Sequence, residues 1–134
     1  MSKFGCKCGN VISDVVCPNE VTGSVLSDKS HDKFFGDVCS IINDCIEHDR
    51  RGDISGWMKK HFNDMYPKDL PVGEMIHDAI HSLHCGLTLA VMECDKCGRL
   101  WIQRKVGENH YREYVPGSPD QIKVLGFNQE VRGG

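Results

Sequence analysis

The residues best suited to chemistry in this 134-residue chain are cysteines, of which there are eight. Four stand in two short patterns. Cys6 and Cys8 lie in "CKCG" near the start, and Cys94 and Cys97 lie in "CDKCG" late in the chain. Each pattern ends in glycine, the residue that lets a chain turn tightly and point backbone N–H groups at a thiolate sulfur. One pair cannot fill a tetrahedral shell, but two pairs can. Four thiolates are the soft donor set of a structural zinc ion, and they leave no position open for substrate. The spacing therefore predicts one structural Zn2+ held by Cys6, Cys8, Cys94 and Cys97.

Closing so long a loop costs roughly 4 kcal/mol. Structural zinc contributes about 10–16 kcal/mol in small peptides, so the metal wins. Two competing readings are weaker. Four unrelated reduced thiols would seldom fall in two Cys-Gly knuckles. A redox CxxC opens a helix, whereas the residues after Cys97 have strand character. Cys39 and Cys45 lie among apolar residues at helical spacing and suit core thiols. Cys17, before a proline, and Cys85 are open as replacements for one of the four ligands.

"EMIHDAIHSLHC" offers a second constellation. His77, His81 and His84 are spaced i, i+4, i+7 and share a helix face. "HDAIH" resembles the HExxH metalloprotease helix with aspartate for glutamate. Asp78 is one methylene short for the usual general base, and no third ligand is obvious, with Glu74 and Cys85 as the candidates to propose. The histidines lie nearly opposite Met75, Ile76, Ala79, Ile80 and Leu83, which predicts a solvent-facing trio. The chain has no phosphate loop, dinucleotide fingerprint or nucleophile elbow. Asp28, Asp32, Asp49 and Asp53 sit near helix ends, where capping accounts for them. The expectation is a protein that is not an enzyme.

Lys96, Arg99, Arg104, Lys105 and Arg112 interleave with Trp101, Tyr111 and Tyr114, a mixture that can stack bases and hold phosphates. The same residues also suit a small sheet, which needs aromatics for packing and charges on its exposed strands. Net charge is -3 and the pI is about 6.1, so no global basic field draws in nucleic acid. An acidic protein is freer to meet a basic protein partner.

The elements that must position these residues follow from periodicity. Residues 4–12 read as a short strand and knuckle, and 13–31 as loop. Phe34, Phe35, Val38, Cys39, Ile42, Cys45 and Ile46 mark one face of a first helix. "DRRGD" breaks it, and Asp53 is placed to cap a second helix. That helix carries Ile54, Trp57, Met58, His61, Phe62 and Met65 and is ended by Pro67. A third starts near Pro71 and stops at Gly86. From Leu87 the pattern turns to strands in "LTLAVMEC", "LWIQRK" and "YREYV", with "VGEN" as a turn. One more short strand is expected from Ile122 to Leu125, with a frayed tail beyond it. The fold expected is α+β, a single domain over 1–134. A small antiparallel zinc-ribbon-like sheet (4–12 and 87–127) accepts a three-helix insertion (32–86).

No apolar run has the length of a membrane span, and "MSKFGCKCGN" lacks the apolar core of a signal peptide. A cytoplasmic protein with reduced cysteines is expected.

"FGCKCGNVISD" and "MECDKCGRLWI" together are similar to a group of small bacterial zinc-ribbon-like proteins. These open on CxCG, carry a helical middle and close on CxxCGR followed by an aromatic. Some are found beside polymorphic toxin genes. The resemblance covers the two ends of the chain and supplies no catalytic residues. It implies a zinc-ribbon core and an immunity protein that neutralises a toxin by direct contact. Two alternatives stand beside it, a zinc-ribbon regulator bound to nucleic acid or transcription machinery, and a metalloenzyme using the His77, His81 and His84 face.

Overall fold

The computed structural model describes residues 3–118 and 124–126. It is an α+β protein with two antiparallel sheets and three helices. The chain falls into two compact units, residues 1–25 with 89–134, and residues 26–88.

The first unit opens on a hairpin of β1 (Lys3–Gly5) and β2 (Val11–Ser13), with the first cysteine knuckle as its connection. The second sheet has the order β3-β4-β5-β6, from β3 (Thr22–Val25), β4 (Leu89–Glu93), β5 (Leu100–Gln103) and β6 (Tyr111–Tyr114). Every neighbouring pair is antiparallel. The second cysteine knuckle joins β4 to β5. Cys6, Ile12, Met92, Cys94 and Trp101 form the buried core. Phe4 packs its ring on Trp101 at 4.9 Å and on Tyr111 at 5.3 Å. "VGEN" turns as expected, with Gly107 at φ +79° between β5 and β6.

The segment expected as loop, 13–31, holds β3 and the start of the first helix. Asn19 explains how β3 begins, because its Oδ1 accepts from the backbone N–H of Val21 and Thr22 and from the Thr22 hydroxyl. That side-chain turn aims the chain along β4. Val124–Gly126 form a turn rather than strand, and the rest of the expected Ile122 to Leu125 strand lies outside the described residues, as does the tail. The turn is held by Glu93, which is 1% exposed and accepts from the N–H of Val124 at 2.7 Å and of Leu125 at 3.1 Å.

The second unit consists of α1 (Asp28–Arg50), α2 (Ile54–His61) and α3 (Val72–Leu87). Ser27 caps α1 by accepting from the Ser30 N–H, so this helix starts four residues before the expected one. Its end is a Schellman arrangement. Gly52, at φ +68°, donates to Asp49 O, and Asp53 donates to His48 O. The left-handed turn that glycine permits satisfies carbonyls that the helix would otherwise orphan. Asp53 then caps α2 through the Gly56 N–H, as its position predicts. His48, 5% exposed, places Nδ1 within 3.1 Å of Asp53 O and 3.2 Å of its carboxylate.

The core of this unit is Cys45, Trp57, Met75 and Ala79, with Ile41, Ile54, Met58, Phe62 and Tyr66 packed around it. Relative to expectation the buried stripe of α1 is rotated. Ile41 and His48 turn inward, whereas Phe35 and Ile46 are 53% and 44% exposed. α2 ends at His61, with Phe62 extended, six residues before Pro67. Met65, expected on its apolar face, is 89% exposed.

Candidate metal centre

Two knuckles of the same design present the four cysteines. In the first, Cys6 N–H donates to Asn10 O and Gly9 N–H to Cys6 O. In the second, Cys94 N–H donates to Arg99 O and Gly98 N–H to Cys94 O. Gly9 and Gly98 hold φ of +93° and +75°, the left-handed region that glycine enters without penalty. A side chain at either position would strain the turn that brings the sulfurs round.

The strands then set the two knuckles face to face. The sulfurs of Cys6, Cys8, Cys94 and Cys97 all lie within 4.8 Å of one another. Cys6 and Cys97 approach to 3.5 Å, and Cys8 and Cys94 to 3.6 Å. A tetrahedral ion with metal–sulfur bonds near 2.3 Å sets its sulfurs about 3.8 Å apart. The cluster thus has the composition and the dimensions of a four-thiolate metal site. Among the described residues it is the only group that brings three or more possible ligands together. Cys17, Cys39, Cys45 and Cys85 stand outside it.

Two side chains that sequence reasoning did not assign to the site donate to the sulfurs. Asn10 Nδ2 reaches Cys94 Sγ at 3.4 Å and is itself positioned by Asp95 Oδ1 at 2.7 Å. Arg99 reaches Cys97 Sγ at 3.3 Å. Both follow a Cys-Gly knuckle by one residue, so a polar donor just after each glycine was the available signal. The thiols are accordingly unequal. Burial pushes Cys97 up, but the backbone and guanidinium of Arg99, with Cys6 and Cys94, outweigh it and bring it down to about 6. Burial also opposes the ionisation of Cys94, and backbone N–H groups with Asn10 again prevail to lower it. For Cys8 the backbone N–H of Asn10 favours the thiolate, yet burial and the three neighbouring thiols push it up to about 11. Without a cation, then, the cluster does not ionise fully. A divalent ion supplies the charge that lets all four become thiolates.

The other sequence-predicted residues are not brought to this centre. His77 and His81 are exposed, as expected, but His84 is half-buried with its ring 5.7 Å from that of Phe34. Asp78 accepts from the Tyr66 hydroxyl at 2.6 Å, which commits the carboxylate that an HExxH-like helix would use as base. Of the basic and aromatic strand residues, Trp101 is buried and Tyr111 packs beside it. Arg99 also lies 3.8 Å from Glu113, which Lys7 contacts at 3.1 Å, and Arg104 lies 3.8 Å from Glu108. Among the described residues no helix is long and apolar enough to cross a membrane.

Residues 2–118 match a family model described as a domain of unknown function (DUF8617). No curated protein and no solved structure matches the chain.

Proposed function

The chain belongs to the DUF8617 family, and we propose that its four cysteines hold one zinc ion in a structural role, in a protein that acts by binding another protein. The observation that carries the metal reading is the mutual spacing of the four sulfurs, all within 4.8 Å. Four protein thiolates complete a tetrahedral shell, so the ion would brace the fold and meet no substrate. Asn10 and Arg99 would orient the ligands and offset their negative charge. Metal analysis of the untagged protein tests this directly. Stoichiometric zinc is expected, and iron in its place or no metal would overturn it.

Protein binding is supported by two features. Trp101 and Tyr111 are spent on packing rather than offered as stacking platforms. Phe35 and Ile46 leave apolar surface exposed on α1, a feature of contact faces. The partner we favour is a bacterial toxin that the chain neutralises as its immunity protein. That finer reading rests on the motif resemblance and on a net charge of -3, which would speed docking onto a basic surface. Co-purification from the native cell at low and high salt, with mass spectrometry and nucleic-acid staining, tests it. A stoichiometric toxin that survives high salt is expected. Nucleic acid held only at low salt would replace this reading with a zinc-ribbon regulator.

A further inference from the structure

Another pair of possible metal donors lies on α3, in the second unit. His81 and Cys85 are four residues apart, so one helical turn stacks them on the same face. His81 Nε2 and Cys85 Sγ approach to 3.5 Å, and both residues are exposed. One turn earlier, His77 sets its ring parallel to that of His81, at 6.1 Å between centroids and 5° between planes. His77 Nδ1 lies 3.4 Å from Asp78 Oδ1, and Asp78 is anchored in turn by Tyr66. Those contacts hold His77 against its own neighbour and leave Cys85 as the donor closest to His81.

We propose that His81 and Cys85 form an exchangeable two-point site for a divalent transition-metal ion, zinc by the chemistry of its donors. The distance carries the argument. Zinc binds imidazole nitrogen near 2.05 Å and thiolate sulfur near 2.3 Å, and a tetrahedral angle between those bonds sets nitrogen and sulfur about 3.6 Å apart. The observed 3.5 Å requires almost no rearrangement. His77 and Cys85 are separated by about 12 Å of helix rise and cannot share one ion, so the site has two protein donors. Two tetrahedral positions remain open. The ion at this site therefore exchanges readily and accepts an outside ligand, whereas the four-cysteine shell is closed.

The test uses the full chain with its zinc content measured first. The protein is titrated with Co2+ under a non-thiol reductant. Cobalt lies below zinc in divalent affinity and does not displace it from the four cysteines. One further equivalent of Co2+ is expected, with near-ultraviolet thiolate-to-metal charge-transfer absorption. His81→Ala should weaken that uptake about tenfold or more, since a single donor remains. Cys85→Ser should abolish the charge-transfer band, and Cys39→Ser, at another exposed thiol of this unit, should leave it intact. Both site residues are exposed, and unchanged helical circular dichroism, which reports the unit that carries them, verifies that each variant is folded. No uptake beyond that zinc, or a band that persists in both His81→Ala and Cys85→Ser, overturns the proposal. Because the zinc content is measured separately, an empty four-cysteine centre and an empty α3 site give different results.

Discussion

Removing the metal is expected to dismantle one unit and spare the other. In the first unit the buried core has five residues, Cys6, Ile12, Met92, Cys94 and Trp101, and two of these are ligands. Stripped of its ion, this cluster keeps Ile12, Met92 and Trp101 as its buried apolar side chains, with Val91 buried outside it, and gains a group of thiols that cannot all ionise. The ligand pairs are separated by 86 residues from Cys8 to Cys94, a closure that costs about 4–5 kcal/mol. Against about 10–16 kcal/mol from structural zinc, the ion leaves a surplus of about 5–12 kcal/mol. That surplus is as large as the whole stability of an ordinary domain. The second unit owes nothing to the metal, since its core is Cys45, Trp57, Met75 and Ala79. The chain has two tryptophans, one in each core, and the helices of 23, 8 and 16 residues all lie in the second unit. Single-tryptophan variants Trp57→Phe and Trp101→Phe therefore report the units separately. On chelation, emission from Trp101 should shift toward that of a solvated indole, while Trp57 emission and the helical circular dichroism persist. Loss of helical signal in step with Trp101 would refute the independence of the second core. An unchanged Trp101 would refute the structural role of the metal.

Two further outcomes follow from named contacts. Arg99→Ala should lower zinc affinity about 10–100-fold, with partial recovery in Arg99→Lys, as read by competition with a chromophoric chelator; equal affinity for wild type and Arg99→Ala would show that the guanidinium does not tune the site. The loss should grow as pH falls from 9 toward 6: the backbone N–H of residue 99 stays in the variant, but without the guanidinium the Cys97 thiol lies above its wild-type value of about 6, and more of it carries a proton that zinc must displace. Asp53→Ala should destabilise the second unit, since the carboxylate caps α2 and faces His48. The Gly56 backbone N–H, opposed by burial and aided by His48, holds the Asp53 carboxyl below its ordinary range. Its contribution is thus present above pH 3.8 and lost as pH falls through the depressed value. Urea melts of wild type and Asp53→Ala should converge in acid, and a constant gap across that range would count against the cap.

The four-cysteine cluster was legible because ligand chemistry is local. Two donors a fixed step apart and a glycine to turn the chain need nothing from the remaining residues. The three helices and β4 to β6 were legible for the same reason, each carrying its own period over four residues or more. β3 was not, because "TGSV" has neither alternation nor bulk, and it is a strand through the Asn19 turn and its pairing with β4 more than sixty residues on. The stripe of α1 was misjudged by one position. Its apolar residues span an arc of roughly 160°, wider than the stripe that is buried, so periodicity alone could not say that Ile41 and His48 turn inward and Phe35 and Ile46 outward. Glu93 gave no sign of burial, since its partners, the amides of Val124 and Leu125, are supplied by a distant turn.

The register of β3 with β4 has a consequence for how such a chain can be altered. Val25 pairs with Leu89 and Ser24 with Ala90, antiparallel and in unbroken sequence. The chain leaves the sheet at one member of a hydrogen-bonded pair and returns at the other. Topologically, residues 26–88 are the loop of a β-hairpin, grown to the size of a helical unit. A two-residue Asn-Gly turn closes the same pair of strands in an ordinary hairpin. The helical unit is thus an excisable cassette. It can be cut out at its two adjoining ends or exchanged for another folded insert, with every ligand of the metal centre still on the strands that remain.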